Sequence, residues 1–231
     1  MYYVSAVIAA GGSGSRMGMP VNKVYVPLNG LPLLCHTLLV FSNCPLINEI
    51  VVVVPQNEID FCRKTIIEPL GFCKAVKITA GGKERQDSVR CGLRETSSNC
   101  DYVVVHDGAR PLLTPAVLEA VLQEGFSWGA AVAAVPVKDT IKIADSQGFV
   151  IDTPERDKLW SVQTPQVFSK DILTAAHELA ERRGVLGTDD AFLVEQMGHR
   201  VKIVPGEYEN IKVTTPEDLD FAEAVLGRRR G

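Results

Sequence analysis

A short glycine-rich segment near the start of the sequence carries two isolated cations. Arg16 and Lys23 are the only charged side chains among the first 48 residues, although charged residues make up 23% of the 231-residue chain. Glycine lets backbone N–H groups approach a ligand without obstruction by a Cβ atom, and such loops bind anions. The small residues before the two cations are Ala10, Gly11, Gly12 and Gly14. The pattern predicts a polyphosphate site, with a surface turn carrying two solvated charges as the alternative.

The two common phosphate-binding motifs do not fit this loop. A P-loop requires Gly-Lys followed by Ser or Thr, a combination that the sequence lacks. A dinucleotide fingerprint requires a third glycine where Met17 stands, and an acidic residue at the end of the second strand, where the chain has Pro55-Gln56. We therefore expect a different type of nucleotide site.

Polar residues suited to a phosphorylated substrate follow two later apolar runs. Gly82 and Ser88 come after the third run, where they could offer backbone groups and a hydroxyl to a base, or form a plain turn with a helix-start serine. Asp107 ends the fourth run, with Arg110 three residues further on. A strand-end Asp can face a ribose, a metal or a substrate hydroxyl, but it is also a common turn or N-cap residue. The cation that follows favours a polyol phosphate.

The elements that must position these residues alternate between strands and helices. Short apolar runs without strict alternation are typical of strands covered on both faces; they are Val4–Ala10, Glu49–Val54, Ala75–Thr79, Tyr102–His106, Ala130–Val135 and Val201–Val204. Helix start signals lie between or after them and predict helices over Leu33–Phe41, Glu58–Glu68 and Ala116–Glu124 and from Thr215-Pro216 onward. This alternation predicts a Rossmann-like, doubly wound α/β fold with a mostly parallel sheet. We expect a single domain over residues 1–231.

One segment, about residues 136–160, departs from the alternation. Ile141, Ile143 and Val150 flank the turn residues Ser146-Gln147-Gly148, which predicts a projecting β-hairpin arm. Such an arm could be a lid, a dimer contact or decoration. The C-terminal Arg228–Arg230 is expected to be a solvated, frayed end.

Composition restricts the partners. The formal net charge of −4 gives no broad basic surface, so nucleic acid is not an expected partner. No apolar run approaches the ~18 residues of a membrane span, and the N-terminus is typical of a first strand rather than of a signal peptide. The six cysteines form no C-x-x-C pair, which favours reduced thiols and a cytoplasmic location over structural zinc.

Taken together, the motifs resemble those of the 2-C-methyl-D-erythritol 4-phosphate cytidylyltransferases, which belong to the nucleotidyltransferases. The signature is A-G-G-x-G-x-R-M-G with a lysine seven residues after the arginine. Further matching blocks, in order, are GGKERQDSV (81–89), HDGARP (106–111), VKDTIK (137–142), TPER (153–156), LW (159–160), QTPQ (163–166), TDDA (188–191) and NIKVT (210–214). The resemblance covers nearly the whole chain, and the joint occurrence of the blocks is highly specific.

The resemblance implies CTP and methylerythritol phosphate as substrates and Mg²⁺, held mainly by the CTP phosphates with Asp107 as a candidate ligand, as the cofactor. It implies that Arg16 and Lys23 stabilise the transition state and that Arg156 and Lys212 orient the attacking phosphate. It also implies a homodimer in which the arm carries Arg156 to the partner's site. The implied substrate residues are Asp107, Arg110, Thr140, Arg156, Thr164, Thr188 and Lys212.

No general base is expected, because the attacking phosphate is already a nucleophile and the sequence shows no candidate His–carboxylate pair. His36, His106, His177 and His199 are accordingly expected to be core or surface residues. Two alternatives remain. The Gly11-Gly12 pair is closer to ribitol-5-phosphate cytidylyltransferases, and a nucleotide-binding protein without turnover would keep the same fold.

Overall fold

Seven strands form one mixed sheet in the computed structural model, which describes residues 2–12 and 22–230. They are β1 (Val4–Ala9), β4 (Glu49–Val54), β5 (Ala75–Ala80), β6 (Tyr102–Asp107), β7 (Ala130–Pro136), β10 (Trp160–Ser169) and β11 (Lys202–Pro205). The order is β11-β7-β10-β6-β1-β4-β5. Six strands run parallel and β10 is antiparallel to both of its neighbours. Short two-stranded pairs lie outside this sheet: β2 (Pro27–Leu28) with β3 (Leu31–Pro32), and β8 (Ile143–Ala144) with β9 (Val150–Asp152).

Helices cover both faces of the sheet. They are α1 (Leu33–Asn43), α2 (Ile59–Cys62), α3 (Glu68–Leu70), α4 (Arg85–Arg94), α5 (Pro115–Trp128), α6 (Lys170–Arg183), α7 (Asp190–Glu195) and α8 (Pro216–Arg230). In β1, Ala6 and Ile8 pack with α1 and α5, whereas Val7 packs on the opposite face with α4 and α6. Each fully buried valine contributes roughly 1.5–3 kcal/mol. The predicted doubly wound α/β fold is confirmed, and no helix in the described ranges is long and apolar enough to span a membrane.

The six strands predicted from apolar runs are confirmed, with bounds that differ by one residue at most. Strand β10 was not predicted. It contains Pro165 and the polar residues Gln163 and Gln166, and its pairing with β7 is irregular between Val162 and Gln166. It therefore lacks the apolar run on which the prediction depends, and only pairing with β6 and β7 makes it a strand.

Three of the predicted helix starts are confirmed. Thr114 Oγ1 accepts a hydrogen bond from the Val117 N–H at the start of α5. At the start of α8 the Thr215 N–H donates to Asp218 Oδ2 and the Asp218 N–H donates to Thr215 Oγ1, so these two residues form a capping box. Helix α1 begins directly after Pro32.

The predicted helix Glu58–Glu68 differs in form. Helical structure begins earlier than predicted, with a 3₁₀ turn at Gln56–Glu58 after Pro55. It continues through α2, a π turn at Arg63–Ile67 and α3 to Leu70. A helix start signal predicts that a helix is present more accurately than it predicts the first residue of the helix or its hydrogen-bond pattern.

The segment predicted as a hairpin contains the antiparallel pair β8–β9. The carboxylate of Asp145 accepts hydrogen bonds from the N–H groups of Gln147 and Phe149, and Gly148 has φ +89°, which explains the glycine in this turn. We call residues 137–159 the arm. Its side chains are almost all exposed, Phe149, Val150 and Ile151 among them.

The C-terminal end is exposed at Arg228 and Arg229, as expected, but it is not frayed, because both residues lie in α8 and form ion pairs. Arg228 forms an ion pair with Glu209, and Arg229 Nη2 lies 2.9 Å from Glu209 Oε2. Arg229 Nη1 also donates to the Leu112 carbonyl oxygen at 2.9 Å. The acidic partners lie about twenty residues upstream, so a basic run viewed alone gives no sign of them.

Replacing Gly92 with Ala tests the close packing of α4 on the sheet. A Cβ at this position would lie 2.5 Å from Val7 Cγ1 and 2.8 Å from Val53 Cγ2, both in central strands. We expect G92A to lower the free energy of unfolding by about 1–3 kcal/mol in urea denaturation. The matched control is G227A in α8, where no atom lies within 4 Å of the new Cβ. An equal effect in both variants would contradict this packing.

Candidate active site

A cleft of about 480 Å³ opens at the carboxyl edge of the sheet, among the loops that follow β1, β4 and β5. The predicted residues Gly11, Gly12, Gly82 and Ser88 line it together with Glu58, Lys83 and Arg85. Ala10 is buried behind them, where its N–H donates to the Val53 carbonyl oxygen and its own carbonyl accepts from Asn22. The cleft lies where open α/β sheets bind ligands.

The glycines after β5 are needed for the contact between this loop and α4. A Cβ on Gly81 would lie 2.6 Å from Ser88 Oγ, and a Cβ on Gly82 would lie 2.3 Å from Asp87 Cβ. Ser88 Oγ donates to the Glu84 carbonyl oxygen at 3.1 Å, so the buried hydroxyl has a partner in the helix. Any larger residue would push the N-terminal end of α4 away from the cleft.

Lys23 lies next to an anchored asparagine. The Asn22 amide donates to the Ala10 carbonyl oxygen and to Glu58 Oε2, both at 3.0 Å, and Asn22 itself is buried. Lys23 begins the 3₁₀ turn Lys23–Tyr25 immediately after it. This tether fixes the start of the turn beside the ends of β1 and β4. Gly14 and Arg16 lie outside the described residues.

Asp107, at the end of β6, is surrounded by cations from three segments of the chain. Its Oδ1 lies 2.9 Å from Arg85 Nε and its Oδ2 lies 2.8 Å from Lys212 Nζ, while Arg110 Nε lies 3.7 Å from Oδ2. Burial raises the pKa of Asp107, but Arg85, then Lys212 and Arg110, lower it well below its usual range. Asp107 is therefore a buried carboxylate that is ionised at neutral pH.

A polar chain behind Asp107 fixes its backbone. The Asp107 N–H donates to Thr164 Oγ1 at 3.1 Å, and Thr164 Oγ1 lies 2.9 Å from His106 Nδ1. His106 Nε2 faces the Arg110 carbonyl oxygen at 3.3 Å. Every hydrogen bond in this series has a donor and an acceptor when the Thr164 hydroxyl donates to Nδ1 of a neutral His106 that carries its proton on Nε2. Burial lowers the pKa of His106 to about 3, which keeps it neutral.

A second buried carboxylate extends the cluster. Asp190, at the start of α7, accepts from Arg85 Nη1 at 2.7 Å and lies 3.0 Å from His177 Nε2. The sequence was expected to contain no His–carboxylate pair, and that expectation is wrong. Both side chains are at most 2% exposed, so His177 is a core residue as predicted and has no open path to a substrate proton.

The loop that carries Lys212 is attached to the same site. The Asn210 amide donates to the Thr164 carbonyl oxygen at 2.9 Å and to Gln163 Oε1 at 3.1 Å. Arg110 Nη1 donates to the Asn210 carbonyl oxygen at 2.6 Å. Four predicted residues therefore meet here: Asp107, Arg110, Thr164 and Lys212.

The other predicted substrate residues lie at exposed positions. Thr140 and Arg156 belong to the arm, and Arg156 Nη1 donates to the Lys138 carbonyl oxygen at 3.3 Å. Thr188 precedes Asp189, the N-cap residue of α7. Within the described part of the chain, no hydrogen bond or ion pair joins these three residues to Asp107.

Each oxygen of Asp107 already accepts from a cation, so a Mg²⁺ ion at this carboxylate would share it with Arg85 and Lys212. Among the described residues no group of three His, Cys, Asp or Glu side chains is arranged to hold a metal ion. Mg²⁺ is usually held by one or two carboxylates together with substrate phosphates. The phosphates are the better donors for this site.

Arg85 and Asp190 are the residues that sequence reasoning missed. Both occur in blocks of the family resemblance, but neither was given a role. A signal existed for Arg85, since it is a cation three residues after the glycine pair of a strand-end loop. No local signal identifies Asp190, because its partners Arg85 and His177 come from other helices.

An α/β sheet whose carboxyl edge joins a glycine-lined cleft to a cluster of cations is suited to bringing phosphorylated substrates together, and the chain falls in the nucleotidyltransferase class. The model of the IspD family, 2-C-methyl-D-erythritol 4-phosphate cytidylyltransferase, matches residues 4–228, so the chain belongs to this family.

Individual relatives agree with this assignment. The chain is 50% identical over 228 residues to the 2-C-methyl-D-erythritol 4-phosphate cytidylyltransferase of Pelotomaculum thermopropionicum, covering 99% of this chain and 96% of that protein. The crystal structure of 4-diphosphocytidyl-2C-methyl-D-erythritol synthase from Anaerococcus prevotii is 31% identical, with a TM-score of 0.88 and coverage of 98% and 99%. The crystal structure of 2-C-methyl-D-erythritol 4-phosphate cytidylyltransferase from Thermus thermophilus is 33% identical, with a TM-score of 0.79, and the match covers 96% of this chain and 98% of that one.

Replacing Asp190 with Asn tests the buried ion pair. We expect D190N to lower the free energy of unfolding at pH 7 by about 3 kcal/mol, because Arg85 and His177 lose their buried anionic partner. The pKa of Asp190 lies below its ordinary value of 3.8 in the folded protein, as Arg85 and His177 outweigh the effect of burial. The stabilisation is therefore full above that value and declines as the pH falls below it.

Urea denaturation between pH 3 and pH 7 measures this effect. The control is D60N, because Asp60 is exposed and pairs with Arg63 at 3.5 Å; we expect a change of less than about 1 kcal/mol. A D190N deficit that stays constant down to pH 3 would contradict the assignment.

Proposed function

We propose that this protein transfers the cytidylyl group of CTP to 2-C-methyl-D-erythritol 4-phosphate, giving 4-diphosphocytidyl-2-C-methyl-D-erythritol and pyrophosphate in isoprenoid precursor biosynthesis. The observation that carries the proposal is the match of the family model to residues 4–228, over both the cleft and the Asp107 cluster. Relatives of this name are 46–50% identical over nearly the full length of both chains.

In this reaction a phosphate oxygen of the polyol phosphate attacks the α-phosphorus of CTP in line. A new P–O bond forms on one side of the phosphorus while the bond to the bridging oxygen of pyrophosphate breaks on the other. Both reactants are anions, so the protein must hold them together and neutralise the charge that accumulates on the phosphorus. The attacking oxygen needs no general base, which agrees with the burial of His106 and His177.

We assign the nucleotide to the cleft beside Gly11, Gly12, Gly82 and Ser88, and the polyol phosphate to the Asp107 side. Arg16 offers a planar fork to phosphate oxygens and Lys23 a compact charge that stabilises the transition state. Lys212 is half-exposed, so its ammonium can contact Asp107 and a phosphate at the same time.

Mg²⁺ is the proposed divalent cofactor, carried by the phosphates of CTP. Its chemistry would be to neutralise phosphate charge. No protein cluster is required for it, because phosphate oxygens and water supply most of its ligands.

A homodimer formed through the arm is the proposed assembly. The arm exposes three large apolar side chains in a row, Phe149, Val150 and Ile151, each at least 59% exposed. A contiguous exposed apolar patch is typical of a protein interface. In such a dimer Thr140 and Arg156, which do not contact the Asp107 cluster of their own chain, would serve the site of the partner.

The proposed location is the cytoplasm. All six cysteines are unpaired, which favours this reducing compartment.

Pyrophosphate release tests the activity directly. With CTP and Mg²⁺, we expect turnover on adding 2-C-methyl-D-erythritol 4-phosphate and none on adding ribitol 5-phosphate or no polyol. Mass spectrometry should identify the cytidylyl product. In the same assay K23M and R16Q should each lower kcat by about 10²–10³-fold, because each removes one preorganised charge from the transition state.

The matched controls for these variants are K64M and R63Q, which alter exposed cations in the π turn. Turnover with ribitol 5-phosphate alone would assign the other polyol, and CTP binding without turnover on either polyol would identify a nucleotide-binding protein. Full activity of K23M and R16Q would overturn the proposed roles.

The double variant F149S/I151S tests the dimer. We expect sedimentation equilibrium to show the wild-type protein as a dimer and the variant as a monomer, because two apolar contacts are lost at the patch. Activity should fall with dissociation, since the arm no longer delivers Arg156. F221S, which changes an exposed phenylalanine on α8, is the control. A wild-type monomer with full activity would refute the composite site.

A further inference from the structure

Arg85 spans the gap between two buried carboxylates that come from different parts of the fold. Its Nε lies 2.9 Å from Asp107 Oδ1, and its Nη1 lies 2.7 Å from Asp190 Oδ2. Asp107 ends a central strand and Asp190 begins α7. A guanidinium group can serve both at once because its donors diverge from a rigid plane, which a lysine ammonium cannot reproduce.

We propose that Arg85 is a positioning residue of the transfer reaction, which fixes the Asp107 carboxylate and, through it, the Lys212 ammonium that receives the polyol phosphate. This inference rests on the proposed function. With Arg85 on Oδ1 and Lys212 on Oδ2, the carboxylate plane cannot rotate without breaking one of the two contacts. Arg85 thereby determines where Lys212 is held.

Arg85 is in turn held from behind. Asp190 accepts from Arg85 on one oxygen and faces His177 Nε2 with the other, at 3.0 Å. The side chain of Gln166 fixes the N-terminal end of α7. Its Nε2 donates to Asp189 Oδ2, and its Oε1 accepts from the Ala191 N–H. The anchor of Arg85 is therefore part of the buried core.

The charge of the cluster also depends on Arg85. Three cations, Arg85, Arg110 and Lys212, surround the two carboxylates Asp107 and Asp190, which leaves one positive charge in excess for a phosphate. Loss of the Arg85 charge would leave the cluster neutral. Stability alone does not explain why these buried ion pairs are present. Well-packed apolar residues in place of a buried ion pair often give a protein of equal or higher stability.

The same contacts predict how the cluster responds to pH. Asp107 is faced by Arg85 from α4, by Lys212 from the loop after β11, and by Arg110 and His106 from its own segment. The charge of Arg85 is foremost among the causes that lower the pKa of Asp107, followed by the charge and the hydrogen bond of Lys212. Neutralising Arg85 should raise the pKa of Asp107 and move the acid limb of activity to higher pH.

The test compares R85Q and R85K with R90Q, a control on the same helix. Arg90 is as buried as Arg85 but pairs with Asp87 and Glu181 instead of the Asp107 cluster. We expect R85Q to lower kcat/KM for methylerythritol phosphate by about 10²-fold, with a smaller effect on the KM for CTP, whose cleft Arg85 also lines, and an acid limb moved to higher pH. R85K should keep the acid limb in place and recover only part of the rate. R90Q should match wild type.

Some outcomes would overturn the inference. They are an R85Q enzyme with wild-type kcat/KM and pH profile, a loss that falls on the KM for CTP, or full rescue by R85K. If R85Q does not fold, R85K and D190N still test the inference. We expect D190N to lower kcat/KM without moving the acid limb to higher pH, because Arg85 keeps its charge and its contact with Asp107.

Carboxyl ¹³C NMR titration of Asp107 separates this inference from the proposed function, because it needs no turnover. Failure of the wild-type protein to release pyrophosphate would refute the function. The NMR titration would still decide the positioning role, since the pKa of Asp107 should rise in R85Q and stay unchanged in R90Q. An unchanged pKa in R85Q would overturn it.

Discussion

A carboxylate buried at the end of a central strand must be compensated, and much of the site follows from this need. Burial of an unpaired charge costs several kcal/mol, a large part of the stability of a domain, so Asp107 remains ionised because cations surround it. Those cations come from α4, from the turn after β6 and from the loop before α8. The charge therefore brings cations from distant segments of the chain to one point, where their excess positive charge is suited to a phosphate.

Close packing places the other half of the site. The glycines after β5 and Gly92 within α4 let this helix approach the sheet, and the contact positions would not accommodate even one Cβ atom. Because Arg85 is the first residue of α4, the same packing that closes one side of the core also sets the reach of its guanidinium. Stability and positioning here depend on the same helix.

Local patterns were sufficient for some features and not for others. Strands β1, β4 and β6 are continuous apolar runs, and the Thr215–Asp218 capping box lies within four residues, so each can be recognised in a short window. The β10 strand has polar residues and a proline, and its identity comes from its neighbours on both sides. The ion pairs of the basic C-terminal end could not be predicted, because the acidic partner Glu209 lies about twenty residues away in sequence.

The sequence by itself determined the alternation of strands and helices, the glycine loops at strand ends and the family, because each is a matter of residue types at short or fixed spacing. Only the tertiary structure decided that Arg85 joins Asp107 to Asp190, that His177 supports Asp190, and that Thr164 supports Asp107 rather than standing alone. These partners are 13 to 105 residues apart in sequence. Their meeting depends on how the helices pack on the sheet, which no local pattern records.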